Sequence, residues 1–510
     1  MSSKRARAVL DAEATAFAEA VGRLVYANPF LPERIRWERE ALGAAYKDRP
    51  EPWNLTLSPG DDPNVSALRE RAAQLLEALR KDGRRPPGER ARRAVGHVVL
   101  FHLFHRFSAD MDRLTEDALQ GRATARPTGV LYRRFAAEFE RQRSVAGAVL
   151  EAEEDTPHLF ACFFQVRRAY RHIASSLVGR SPAMARLRAG IWQSIFTHDL
   201  HRYRRSMFSR MGDMATLVTG PTGTGKELVA RAIGLSRYIP FDAGKGRFAE
   251  DFAEGFFPLN LSALTPTLIE SELFGHRKGA FTGAWTDREG WLEACPAHGS
   301  VFLDEIGELD GAIQVKLLRV LQARTFHRIG DSTSRRFPGK LIAATNRDLR
   351  REVESGRFRE DFYYRLCSDR VETPPLAEQL RDDPAELDHL LRFLARRVAG
   401  EGDVDELADE AARWIRNHLG AAYAWPGNFR ELEQCVRNIA IRGDYRPLAA
   451  GGGTVEDGDD IHGFREGSLS MEAMQRAYCR RVYRAAGSYG AAAHRLGVDR
   501  RTVRRYVEEP

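Results

Sequence analysis

Seven residues, Gly220, Pro221, Thr222, Gly223, Thr224, Gly225 and Lys226, constrain the fold of this chain more than any other run. An apolar stretch, Ala215-Thr-Leu-Val218, precedes them, and a helical pattern, Glu227-Leu-Val-Ala-Arg-Ala-Ile233, follows. Glycine adopts left-handed backbone freely, so successive N–H groups can curl around phosphate oxygens. The helix behind the loop adds its positive end, and Lys226 adds a point charge for the β- and γ-phosphates of a nucleotide, taken to be ATP. A strand, this loop and a helix in that order make a phosphate-binding loop in its required setting. They predict an open α/β sheet whose ligand lies at the C-terminal ends of the strands.

Two more apolar runs, Ser300-Val-Phe-Leu303 and Lys340-Leu-Ile-Ala-Ala344, read as buried parallel strands. The first ends in Asp304-Glu305. Asp304 is expected to hold Mg²⁺ beside the nucleotide, and Glu305 to orient and polarise the attacking water. Glu227 stands where a Ser or Thr usually ligates the metal, which leaves Asp304 as the metal-side acid. Between these motifs lie Gly279, Ala280, Phe281, Thr282, Gly283 and Ala284. Small residues on both sides of Phe281-Thr282 favour a tight hairpin with an aromatic tip pushed into solvent. An exposed phenylalanine on a loop suggests that something grips it.

From Val178-Gly179-Arg-Ser181 to about Arg442, roughly half its length, the chain resembles the sigma-54-dependent transcription activators, the bacterial enhancer-binding branch of the AAA+ ATPases. The resemblance implies that Gly279–Ala284 touch the sigma factor and that Val178 and Gly179 lie on the adenine side. Asn260, 19 residues before Gly279, matches an asparagine that restrains the catalytic glutamate. Thr345-Asn346 match the first sensor, and Arg430, in Trp425-Pro-Gly-Asn-Phe-Arg430, matches the second. Arg359 and Arg365 resemble arginine fingers that enter the neighbouring subunit's site, which implies a ring, by resemblance a hexamer. The family commonly carries Glu at the position of Glu227. Three stretches depart from its pattern: 179–220 and 238–257 are longer, and the run after Pro374-Pro-Leu376 is altered.

The expected organisation is multidomain. A helical N-terminal sensor or regulatory domain covers 1–170, an α/β AAA+ core 174–398 and a helical lid 399–442. A flexible linker spans 443–467, and a C-terminal all-α helix-turn-helix fills 468–510; the resemblance implies that it is of Fis type and dimerises through its first helix. In the last segment Gly497 makes the turn, Val498 and Val503 pack inward, and Asp499 caps the second helix. Arg500, Arg501, Thr502, Arg504 and Arg505 then face outward, with arginine suited to guanine edges and phosphates of enhancer DNA. In the N-terminal part His97, His102, His105 and Cys162 are candidate sensor groups, outweighed by ordinary burial.

The 510 residues, 43% hydrophobic and 29% charged, have a globular composition, and a net charge of +7 favours polyanionic partners. Five scattered cysteines without a CxxC pair argue against a disulfide framework or a zinc site and for a reducing cytoplasm. No apolar run reaches membrane-spanning length, and the opening Met1-Ser-Ser-Lys-Arg does not read as a signal peptide. The reading is an ATPase that binds enhancer-like DNA and remodels closed complexes of sigma-54 RNA polymerase. The alternative is a DNA-bound repressor or scaffold that retains the AAA+ fold without driving sigma-54. Intact Gly279–Ala284, Glu305 and Arg359 weigh against it.

Overall fold

The computed structural model describes residues 10–49, 62–83, 86–122, 125–146, 155–447 and 470–508. The chain forms two compact units, Met1–Val436 and Arg437–Pro510. Most of the expected linker, from 448 onward, lies outside the described residues.

The first unit begins with helices α1 (Ala12–Tyr26), α2 (Glu33–Leu42), α3 (Pro63–Asp82), α4 (Gly88–Leu119), α5 (Ala125–Ala146), α6 (Thr156–Ser176) and α7 (Pro182–Phe196). Asp11 caps α1 and Asp62 caps α3 through side-chain oxygens, with Pro63 at the first turn of α3. The central helix is α4: Val95, Val98, Val99 and Leu103 on it are fully buried. That burial explains how a stretch carrying three histidines sits inside a core. Burial is the main force lowering all three imidazoles, His97 to about 4. Among the described residues no group of three or more His, Cys, Asp and Glu side chains is placed to hold a metal ion.

The strands follow: β1 (Thr216–Thr219), β2 (Phe241–Asp242), β3 (Arg247–Phe248), β4 (Phe256–Asn260), β5 (Ser300–Asp304), β6 (Thr325–Phe326), β7 (Arg335–Arg336), β8 (Lys340–Thr345) and β9 (Asp369–Glu372). Five of them make a parallel sheet in the order β4-β5-β8-β1-β9. Side chains alternate across it. On one face Val218 and Ile342 meet Tyr170, Ile173 and Trp192 of α6 and α7. On the other, Leu217, Val301 and Leu341 meet Leu273, Leu317 and Phe362. Covered on both sides, all six residues of β8 are buried, and the four between Lys340 and Thr345 are all apolar.

The helical region expected to stand apart over 1–170 is continuous with the α/β region. Helix α6 crosses that boundary: Leu159, Phe160 and Phe164 pack in the helical core, while Ala169, Tyr170 and Ile173 pack under the sheet. The stretch 238–257, which looked too long, is the reason for a second junction. It folds as the antiparallel pair β2–β3, and Phe241 and Phe248 enter the helical core. Phe241 stands 4.7 Å from Tyr132 and 4.9 Å from Phe160, ring to ring, and Phe248 lies 4.8 Å from Phe164. Fully burying each such ring contributes about 1.5–3 kcal/mol. The helices after β9 start at Leu376–Asp382, with Glu386–Ala399, Val404–His418 and Asn428–Arg442 following. The α/β part therefore ends near Glu372 rather than 398, because Pro374 and Pro375 stop β9 and open the helix.

The second unit contains Met471–Ala486, Tyr489–Leu496 and Arg500–Glu508. Val482, Ala492, Ala493 and Val503 form its core. Gly497, at φ 67°, ends the second helix in left-handed backbone. Val498, expected inside, is 40% exposed, because the chain turns outward immediately after Gly497.

Candidate nucleotide site and tip loop

The phosphate loop leaves β1 at Thr219 and closes onto helix Lys226–Gly234. Gly220, Gly223 and Gly225 all have positive φ, at 147°, 78° and 86°. Two of them are also forced by close approach: a Cβ on Gly220 would stand 2.1 Å from Thr373 Oγ1, and one on Gly223 2.2 Å from the Gly427 carbonyl oxygen. Lys226 is buried, and its Nζ donates to the carbonyls of Gly220 at 3.1 Å and Pro221 at 3.2 Å. Burial holds this amine below its ordinary range, Glu305 and Asp304 raise it again, and Arg430 lowers it. The lysine, both acids and Arg430 thus share one electrostatic neighbourhood.

Asp304 ends β5, and its Oδ1 accepts from the Glu305 N–H at 3.0 Å, which aims the carboxylate. Glu305 adopts left-handed backbone at φ 57°, ψ 49°. For a residue with a Cβ that conformation costs roughly 1–3 kcal/mol, and such strain clusters at functional sites. Next along the sheet, Asn346 Nδ2 donates to Thr222 Oγ1 at 2.9 Å, tying the end of β8 to the phosphate loop. Its N–H points at Glu305 Oε2 from 3.4 Å. Asn260 is in register with Asp304 on the adjacent strand. Its Oδ1 accepts from the N–H and Oγ of Ser262, so its side chain caps a turn, and no bond to Glu305 is made.

Arg430 comes from the first turn of Asn428–Arg442. That helix is docked by Asn428, whose Nδ2 donates to the Thr222 carbonyl and whose Oδ1 accepts from Leu376 N–H. Val178 and Gly179 sit in a loop fastened by two residues that sequence reasoning missed. Arg188 donates to the carbonyls of Leu177 and Gly179, and the fully buried Glu386 accepts from Arg180 N–H at 2.7 Å. Burial raises the Glu386 carboxyl, and its Oε1 has no hydrogen-bond partner. Both look like ordinary helix residues in sequence, so no signal could have singled them out. Arg359 and Arg365 are exposed, and Arg359 pairs with Asp361 at 2.8 Å.

The loop Gly279–Ala284 is closed by Gly279 N–H to Ala284 O at 2.8 Å and Ala284 N–H to Phe281 O at 3.0 Å. The expected solvent-facing aromatic tip needs correcting. Phe281 is half-buried, edge-on to His276 at 5.0 Å, because the loop folds back over that imidazole, which itself is held by Ser271 at 2.8 Å. The exposed ring is Trp285, 82% accessible immediately after the loop. Its sequence signal is an aromatic directly following the hexapeptide.

In the second unit Asp499 Oδ1 accepts from the N–H groups of Arg501 and Thr502, at 2.8 and 3.0 Å. Arg500, Arg501, Arg504 and Arg505 are exposed. Thr502 is half-buried and donates its hydroxyl to Asp499 Oδ2 at 2.6 Å, so it serves the cap rather than facing outward.

Comparison with known proteins places a name on the α/β segment. Residues 196–372 match the sigma-54 interaction domain family. The transcriptional regulatory protein ZraR of Klebsiella oxytoca is 39% identical over 57% of this chain and 62% of its own length. The Nif-specific regulatory protein of Azotobacter vinelandii is 45% identical over 44% of this chain and 39% of its own. The chain thus spans less than two thirds of either relative. NtrX from Brucella abortus, solved in complex with ATP, is similar over 74% of this chain and 79% of its own at 24% identity, with a TM-score of 0.41. Over residues 196–372, about a third of its length, the chain is similar to the sigma-54 interaction domain family.

Proposed function

We propose that this chain is an ATP-driven transcriptional activator that remodels sigma-54 RNA polymerase. The observation that carries the reading is one continuous module in which Lys226, Asp304 and Glu305 surround a phosphate loop and the Gly279–Ala284 turn follows on the same fold. The relatives named as transcriptional regulators support it.

ATP binds with its phosphates on the N–H groups of 220–225 and the Lys226 ammonium. Asp304 offers hard carboxylate oxygen beside Lys226, the donor chemistry that Mg²⁺ takes, so the residues present fit the metal. When bound, Mg²⁺ neutralises charge on the β- and γ-phosphates. Glu305 accepts a hydrogen bond from the attacking water and orients it in line with the γ-phosphorus. The water–phosphorus bond forms as the bond to the bridging oxygen breaks. Asn346 links the loop to the Glu305 region and senses the γ-phosphate, while Asn260, Arg430, Val178 and Gly179 complete the pocket. Arg359 and Arg365, on the surface of one subunit, reach the site of the next in a ring. For Arg359 this exchanges a solvent-exposed pair with Asp361, weakened by water, for a phosphate partner. Residues 279–284 contact the sigma factor, and Arg500, Arg501, Arg504 and Arg505 hold enhancer DNA. The N-terminal helices gate the ATPase.

The test is open-complex formation at a sigma-54 promoter. With the full chain and sigma-54 polymerase it should require ATP and fail with ADP. Equal opening with ADP, or none with ATP when the ATPase is active, contradicts the reading.

A further inference from the structure

A second cavity, of about 610 Å³, borders the N-terminal ends of β1 and β8, the opposite end of the sheet from Lys226. Its volume lies in the range of small-molecule sites, about 300–1,000 Å³. The charged side chains lining it are one-sided: Arg210, Arg237, Arg324, Arg336 and Lys340 face a single carboxylate, Asp213. Lys340 is buried, Arg237 and Arg324 are half-buried, and Arg210 and Arg336 are exposed. The cations therefore run from the interior to the surface.

Neighbouring carboxylates offset this charge only in part: Asp369 acts on Lys340, Glu250 on Arg237 and Asp213 on Arg324. Lys340 Nζ donates to the carbonyls of Met211 at 3.2 Å and Met214 at 2.7 Å. Arg237 donates to the carbonyls of Ala297 and Gly299, and Arg324 to that of Gly339. Carbonyls orient these groups but supply no counter-charge. Among the described residues the one ion pair in this set is Arg324–Asp213, at 3.7 Å. Burial is the main force lowering Arg237 to about 10 and Lys340 to about 8. Arg324 pushes both down further, and Arg336 does the same to Arg324. Like charges gathered this closely repel one another, and an incoming anion would relieve that cost.

Guanidinium forks match phosphate oxygens two at a time, and a buried ammonium adds a point charge. Five cations exceed the three carboxylates, Asp213, Asp369 and Glu250, that act on them. We propose that this cavity binds a small anion carrying two or more phosphate groups, at a site separate from the phosphate loop. Its position suits a regulatory input. Lys340 starts the strand that ends at Thr345-Asn346, and Arg237 follows the helix that begins at Lys226. Gln165 of α6, which spans the helical and α/β cores, also lines the cavity.

Calorimetric titration of the full chain with inorganic pyrophosphate tests this. Three proteins are compared: the unaltered chain, Lys226→Ala, and Lys226→Ala carrying Arg210→Gln and Arg336→Gln, whose exposed side chains can change without disturbing the core. The unaltered chain should bind at two sites, and Lys226→Ala at one. The added pair should weaken that remaining site at least about tenfold, the loss of one charged hydrogen bond, with an unchanged circular dichroism spectrum. No binding to Lys226→Ala overturns the proposal, as does binding indifferent to Arg210→Gln and Arg336→Gln. Two sites persisting in Lys226→Ala would instead count against the phosphate-loop assignment and leave this one standing.

Discussion

The two ends of β1 and β8 solve the problem of holding an anion in different ways. At the C-terminal ends, glycines at 220, 223 and 225 bend the backbone so that N–H groups do the binding, with one lysine and two acids close by. At the N-terminal ends, side chains from separate segments converge, and five of them are cationic. The first arrangement is local in sequence. The second exists only once the sheet, the loop 208–214 and the segment after Gly234 have packed. The difference shows which chemistry a sequence displays and which it conceals.

Glu305→Gln should give the largest effect and separate the two ends. Hydrolysis should fall about 10²–10⁴-fold, the usual contribution of a positioned base, while pyrophosphate binding to the far cavity stays unchanged. Loss of both would mean that the ends are not independent, and equilibrium binding on the same preparation decides it. Phe241→Ala attacks the junction on the other side. Removing a ring packed against Tyr132 and Phe160 should destabilise the first unit by about 3–5 kcal/mol, read as a lowered denaturation midpoint. An unshifted midpoint would show that β2–β3 is not part of the helical core.

The same contrast explains how much was legible. Three of the five sheet strands (β1, β5 and β8), the phosphate loop, Asp304-Glu305 and the cap Asp499 each rest on neighbours in sequence and could be read in advance, whereas β4 and β9 could not. The unity of helical and α/β regions could not, because it depends on one helix shared by two cores and on phenylalanines in a two-residue strand pair. Phe281 was misplaced for a related reason. Its exposure is set by His276, which is brought beneath the loop by bridges to Arg288 and Ile329. Glu386 and Arg188 clamp the 177–180 loop from helices that gave no sign of it.

Arg501→Ala tests a site that belongs to neither end of the sheet. If its contact is to a base, enhancer binding should weaken by about 1–3 kcal/mol, with hydrolysis untouched. A phosphate contact would instead lower the salt slope by about one. Unchanged DNA affinity and salt slope would remove Arg501 from the interface. The smallest structural effect is expected at Trp285. Its ring is 82% exposed, so Trp285→Ala should alter stability by no more than about 0.5 kcal/mol. It should nonetheless weaken capture of sigma-54 polymerase in a pull-down with ATP, and undiminished capture would make the exposed ring incidental.

In the proposed function, ATP turnover at Lys226 and Glu305 is converted into work by the loop Gly279–Ala284. Thr282→Ala separates the two most directly, since Thr282 is exposed on that loop and outside the phosphate contacts. ATP hydrolysis and open-complex formation should be followed together in one reaction with sigma-54 polymerase. Open complexes should disappear while hydrolysis continues near the unaltered rate. Hydrolysis collapsing in step with opening, or opening that survives the substitution, would contradict it.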